Sequence, residues 1–280
     1  MSEQARVCVL GPGAMGTAIL EGLLRGGAFA PAELAVLGRN PGRLAQVAQR
    51  LGVAARRDTD LRDGADAVVL CCKPHDLAAV AGQLKPSLRE STLVVSTLAG
   101  VPLAALQAAL AHQGVVRAIP NIAASLGASV TLWIAAQRLG EPQLQLARRL
   151  IGALGESIEV DNEKYVELVT PLSGAAPALV ALYVESLIDS SVHIGIPRAM
   201  ATSVVVQSVI GSMALIKADP GTPADVRARV TSPGGLTCEC IAVLEQHGLR
   251  TAVLQAVLAG LRKTQALGGA TSFSKGEKQA

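Results

Sequence analysis

The chain has 280 residues, half of them hydrophobic and 17% charged, with a formal net charge of +3. Such a chain is globular rather than disordered and is long enough to bury two cores. The charge is small and dispersed, and two Phe, two Tyr and one Trp offer few stacking platforms, so nucleic acid is not an expected partner.

The first residues are polar and lack an apolar signal core, so a cytoplasmic protein is expected. The first predicted element is a short apolar strand, Val7 to Leu10. It leads into Gly11-Pro12-Gly13-Ala14-Met15-Gly16, a G-x-G-x-x-G spacing, and then into a helical pattern with Ile19, Leu20, Leu23 and Leu24 on one face, ended by Gly26-Gly27. In a dinucleotide site each glycine has a physical task. Gly11 turns the chain, Gly13 lets a pyrophosphate approach bare backbone, and Gly16 lets helix and strand pack closely. The anion then meets free N–H groups at the positive end of the helix dipole. With 28 glycines in the chain the spacing also arises by chance, and the alternative is a plain strand–helix turn.

A second strand, Leu34 to Leu37, ends at Gly38-Arg39-Asn40. An acidic residue about 20 positions past the glycines marks an NAD site. Arg39 stands there instead, and a cation suits the 2′-phosphate of NADP(H), with NAD(H) as the alternative cofactor; the competing reading is a solvated loop arginine. A helix from Pro41 to Leu51 follows. The next strand, Ala67 to Cys72, is almost unbroken in its apolar run, as in a parallel strand covered on both faces. It ends at Lys73-Pro74, on the carboxyl edge where open α/β sheets collect ligands; a surface lysine is the other reading of Lys73. A helix (Leu77 to Leu84), a strand (Leu93 to Ser96), a helix (Pro102 to Ala111) and a strand (Val115 to Ile119, ending at Pro120-Asn121) continue the alternation. Val130 to Ile134, Gln143 to Leu154 and Ser157 to Val160 complete it.

From Glu163 onward the pattern is helical: Tyr165 to Leu172, Ala178 to His193, Arg198 to Ala218, Pro223 to Val230, Leu236 to Gln246 and Leu249 to Leu267. The expected architecture is α/β, with a Rossmann-like doubly wound sheet over 1–162 followed by an all-helical domain over 163–267 that binds substrate and dimerises. Residues 268–280 are expected to form a disordered tail. Ala199 to Ile216 carries no charge and approaches membrane-spanning length. It is rich in Ala, Ser and Thr and lacks an aromatic belt, so a helix buried in a homo-oligomer is expected, and no membrane partner. Cys8, Cys71 and Cys72 lie in apolar runs as small hydrophobes. Cys238-x-Cys240 lacks a second ligand pair, so no metal site is expected.

Thr231-Ser232-Pro233-Gly234-Gly235-Leu236-Thr237 is the second informative stretch. Ser before Pro before a helix reads as N-cap and N1, placing Gly234 and Gly235 in the first turn. Two glycines there cost about 1 kcal/mol each in helix propensity. Bare N–H groups offered to a small carboxylate explain them, and a glycine-rich interhelical turn is the alternative.

With Lys73-Pro74, Ala99-Gly100, Arg117-Ala118-Ile119-Pro120-Asn121, Leu172-Ser173-Gly174, Gln207 and Thr231 to Thr237, the chain resembles the pyrroline-5-carboxylate reductases over nearly its whole length. The resemblance implies a Rossmann domain with a helical dimerisation domain, assembled as dimers or decamers, and NADPH-dependent reduction of the cyclic imine L-1-pyrroline-5-carboxylate to L-proline. It implies cofactor contacts at Gly11, Pro12, Gly13, Ala14, Met15, Gly16, Arg39, Asn40, Lys73 and Asn121. It implies substrate contacts at Glu163, Gly234, Gly235, Leu236 and Thr237, with Thr237 as the catalytic hydroxyl. Ala175, Ala176 and Leu179 depart from the family's Ser-Gly-Ser-Gly-Pro-Ala-Tyr pattern. They leave open another cyclic-imine substrate or a non-catalytic NADP-binding member. A β-hydroxyacid dehydrogenase would need a lysine on a glycine-containing helix after Ser173-Gly174; Lys217, at a helix end, lacks the supporting glycine pattern.

Overall fold

The computed structural model describes residues 6–56 and 64–272. They form two compact units, one running to Ala175 and resuming at Ala259, the other spanning Ala176–Leu258. The first unit contains eight strands: β1 (Val7–Leu10), β2 (Leu34–Leu37), β3 (Ala54–Arg56), β4 (Ala67–Leu70), β5 (Leu93–Ser96), β6 (Val115–Ile119), β7 (Ser129–Ala135) and β8 (Gly155–Glu159). They make one sheet in the order β3-β2-β1-β4-β5-β6-β7-β8. All neighbours are parallel except β6 and β7, which pair antiparallel, so β7 and β8 run against the rest.

Side-chain alternation along each strand divides the core between the two faces. Val7, Val9, Val36, Val69 and Val95 point to one layer with residues of α1 (Ala14–Arg25), α2 (Pro41–Leu51) and α5 (Glu141–Gly152). Cys8, Leu10, Val68, Leu70 and Val94 point to the other, with α3 (Leu77–Leu84) and α4 (Leu103–Leu110). This is a doubly wound sheet, and both faces are covered as parallel strands require. Trp133 of β7 is fully buried and donates its indole N–H to Ser157 Oγ on β8 at 2.9 Å.

Several element ends differ from expectation. β4 stops at Leu70: Cys71 N–H makes the last ladder bond, to Leu10 O, and beyond it Gly11 at φ +110° turns β1 away. β3, Ala-Ala-Arg, is too short to show periodicity in the sequence. α6 (Glu163–Ser173) lies on β6 and β7, which is why packing divides the chain at Ala175 although strand alternation ends near 163.

The second unit holds α7 (Ala176–His193), α8 (Arg198–Ala218), α9 (Pro223–Arg229), α10 (Leu236–Gln246) and the start of α11 (Leu249–Ser272). The disordered tail expected from Gly268 is corrected for 268–272, which prolong α11; extending a nucleated helix adds one bond per residue fixed, enough to carry it through Gly268-Gly269. Residues 273–280 lie outside the described residues. α7 and α8 pack on each other yet leave Leu182, Tyr183, Ile210 and Met213 exposed. By length and composition alone, the 163–193 stretch and α8 are apolar enough to cross a membrane.

Candidate functional site

The glycine turn at the carboxyl end of β1 is built by close approach. Gly11 takes φ +110°, and a Cβ there would meet Cys71 O at 2.8 Å. Its N–H reaches sideways to Leu37 O at the end of β2 (2.9 Å). A Cβ on Gly16 would stand 2.0 Å from Gly11 O, so only glycine lets α1 start against the strand. Gly13 is different: a Cβ there would meet nothing within 4 Å, and its φ of −84° is open to any residue. Its bareness is therefore unexplained by packing and is what a diphosphate cradle requires. As first-turn residues of α1, Ala14 and Met15 have amides without an intrahelical acceptor. Pro12 packs on Gly38, where a Cβ would lie 2.6 Å from Pro12 Cδ, tying the turn to the end of β2.

The structure brings Arg39, Asn40, Lys73 and Asn121 to the same carboxyl edge, in different states. Arg39 is exposed and its Nη2 donates to Asp76 Oδ1 at 3.2 Å. Asn40 is the N-cap of α2, accepting from Arg43 N at 3.0 Å. Lys73 is exposed, immediately before the short 3-10 turn Pro74–Asp76. Asn121 is buried, and its side chain is already engaged: Nδ2 donates to Ser173 O (3.1 Å) and Oδ1 accepts from Ala123 N (2.9 Å). One Nδ2–H and one Oδ1 lone pair remain for a further contact at Asn121.

Burial pushes the Cys71 thiol up to about 12 and the Cys8 thiol up to about 11. Both thiols stay protonated at neutral pH and act as apolar packing groups, without nucleophilic character.

In the second unit the glycine-rich stretch departs from expectation. α10 starts at Leu236, with Gly235 as N-cap, and the glycines precede it. Gly235 N donates to Ser232 O at 3.0 Å, closing a turn in which Pro233 is followed by Gly234 at φ +68°. Pro then Gly with positive φ is the pattern of a type II turn. The expected Ser232 N-cap is therefore corrected: a left-handed glycine ends the turn before the helix can begin. The first-turn amides belong to Leu236 and Thr237, which offer N–H groups at the positive end of α10. Leu236 is exposed and Thr237 half-buried.

One polar centre was not legible in the sequence. Arg117 in β6 is 2% exposed, and its Nη1 donates to Glu163 Oε1 at 2.7 Å; the same oxygen accepts from Leu103 N at 2.7 Å. Glu163 thus holds β6, the start of α4 and the start of α6 together. Its carboxylate is engaged as a structural acceptor, a role the resemblance did not imply. Asp76 was also missed; the available signal was an acidic residue just beyond Lys73-Pro74, on the ligand edge.

Family models match both halves of the chain: "NADP oxidoreductase coenzyme F420-dependent" over residues 6–100 and "Pyrroline-5-carboxylate reductase dimerisation" over residues 163–267. The pyrroline-5-carboxylate reductase of Synechocystis sp. is 38% identical over 264 residues, covering 93% of this chain and 97% of that protein. The structure of 1-pyrroline-5-carboxylate reductase from Streptococcus pyogenes superposes with a TM-score of 0.84 at 29% identity, over 95% of this chain and 100% of that one. A Plasmodium falciparum pyrroline carboxylate reductase solved with NADP bound has the same fold, with a TM-score of 0.85 at 24% identity over 95% and 99% of the two chains. The bare glycine turn, the helical segment opened by Ser-Pro-Gly-Gly and a full-length match to a curated relative agree on one conclusion: the chain belongs to the pyrroline-5-carboxylate reductase family.

Proposed function

We propose that this protein reduces L-1-pyrroline-5-carboxylate to L-proline with NADPH, as a homo-oligomer in the cytoplasm. The observation that carries the cofactor half is Gly13, whose backbone faces open space at the end of β1 while its neighbours Gly11 and Gly16 are fixed by packing. The residues present fit the nucleotide: bare backbone and first-turn amides for the diphosphate, and Arg39 for the 2′-phosphate. Reduced nicotinamide, when bound, supplies the hydride that goes to the imine carbon.

The protein's task is positional. A cyclic iminium is already electrophilic, so holding the two reactants in register is the main demand. The amides of Leu236 and Thr237 bind the substrate carboxylate at the head of α10. The Thr237 hydroxyl accepts a hydrogen bond from the ring N–H and keeps that proton on nitrogen as the amine forms. The exposed apolar faces of α7 and α8 support assembly through the helical segment, as a dimer and up to a decamer.

Thr237→Val tests the reading. Losing one hydrogen bond to a charged group predicts about a ten- to hundredfold fall in kcat/KM for the imine. NADPH affinity, measured by fluorescence titration, stays at the wild-type value. An unchanged rate removes Thr237 from the chemistry. NADPH binding without turnover by the wild-type protein of any five- or six-membered cyclic imino acid selects the non-catalytic reading.

A further inference from the structure

The strand order places β1 between β2 and β4. Arg39 lies just past the end of β2, and Asp76 lies past the end of β4 on the 3-10 turn after Lys73. Their 3.2 Å ion pair therefore crosses the carboxyl end of β1, above the turn that begins at Gly11. It joins the two loops that flank the nucleotide cradle, and it engages Arg39, the cation read from the sequence as the partner of a ribose 2′-phosphate. His75 Nε2 stands 3.8 Å from the other oxygen of Asp76.

We propose that Asp76 is a specificity-determining residue for the nucleotide, acting through Arg39. This rests on the NADP reading of the cradle. A bare ribose leaves the Arg39 guanidinium with Asp76. A 2′-phosphate competes for it with about −1.5 to −2 charges and three strong acceptor oxygens against one carboxylate. The exchange favours phosphate, but Asp76 opposes it twice: its own pair must break, and its charge then remains near the phosphate. Asp76 thus moderates the preference for NADPH that Arg39 creates. It makes the chain more tolerant of NADH than an arginine at that position alone would. The pair is solvent-exposed, with 67% of the Arg39 side chain accessible, so the effect is bounded at about fivefold.

Asp76→Asn keeps the shape and removes the charge. Dissociation constants for NADPH and NADH are measured by fluorescence titration of the full chain at low salt, with 2′,5′-ADP and 5′-AMP as fragment probes by calorimetry. The ratio of the two constants is expected to move toward NADPH by up to about fivefold, and the gain to shrink with added salt. Asp76→Glu, which keeps the carboxylate, should restore the wild-type ratio. In an Arg39→Ala background the Asp76→Asn gain should fall to a smaller residual. A ratio that stays fixed or moves toward NADH, or an equal gain in the Arg39→Ala background, overturns the inference while leaving the cofactor reading intact. A wild-type chain that binds neither nucleotide overturns both.

Discussion

A single methyl group separates the roles of the glycines at the head of α1. Gly16→Ala puts a Cβ 2.0 Å from Gly11 O, and backbone cannot yield as a side chain can. Thermal denaturation should show a loss of at least about 1–3 kcal/mol. A Cβ at Gly13 meets no atom within 4 Å, so the melting temperature of Gly13→Ala should stay close to wild type while NADPH affinity falls about tenfold or more. Glu163 gives a different test. Glu163→Ala leaves the buried Arg117 guanidinium without its ion-pair partner, and urea denaturation should register about 3–5 kcal/mol. Glu163→Gln, which can still accept from Arg117, should lose less. The glycines were legible in sequence because their spacing is itself the chemistry. Arg117 was not: within Val-Val-Arg-Ala-Ile it passes for a residue on an exposed strand face, and its partner is 46 positions away. Asp76 was hidden in the same way, its bond to Arg39 spanning 37 positions.

Some elements were read nearly to the residue: α2 from its apolar spacing behind Pro41, and α8 from a long uncharged run opened by Pro197. For α10 the apolar pattern from Leu236 gave the start, whereas the Ser232 N-cap reading placed it too early, at Pro233. Ser-Pro opens a helix as N-cap and N1, and equally occupies the first half of a type II turn. Only the left-handed φ of Gly234 decides between them, and sequence does not carry that sign. Gly234→Ala is the corresponding test. A Cβ at Gly234 meets nothing within 4 Å, so the substitution acts through φ alone and should cost about 1–2 kcal/mol. The melting temperature should drop accordingly, and KM for the imine should rise if the turn aims the Leu236 and Thr237 amides.

At the scale of the whole molecule, the proposed assembly through α7 and α8 makes a prediction of its own. Leu182 is 62% and Ile210 56% exposed within one chain, and contiguous exposure of this kind marks an association surface. Ile210→Glu should lower the mass seen by light scattering. In the wild type the melting temperature should rise with protein concentration, as mass action requires of an oligomer. The doubly wound plan was legible from the alternation of strands and helices, whereas the reversed direction of β7 was not, since an apolar run reads the same both ways. That reversal has a topological consequence. Because β7 and β8 point down when their neighbours point up, α6 climbs back across the sheet and finishes at Ser173, beside Asn121. The polypeptide consequently departs from its sheet at the rim that carries the glycine turn. An inverted last strand, followed by one helix, selects that exit; had β7 and β8 kept the common heading, the same helix would have delivered the chain to the opposite rim.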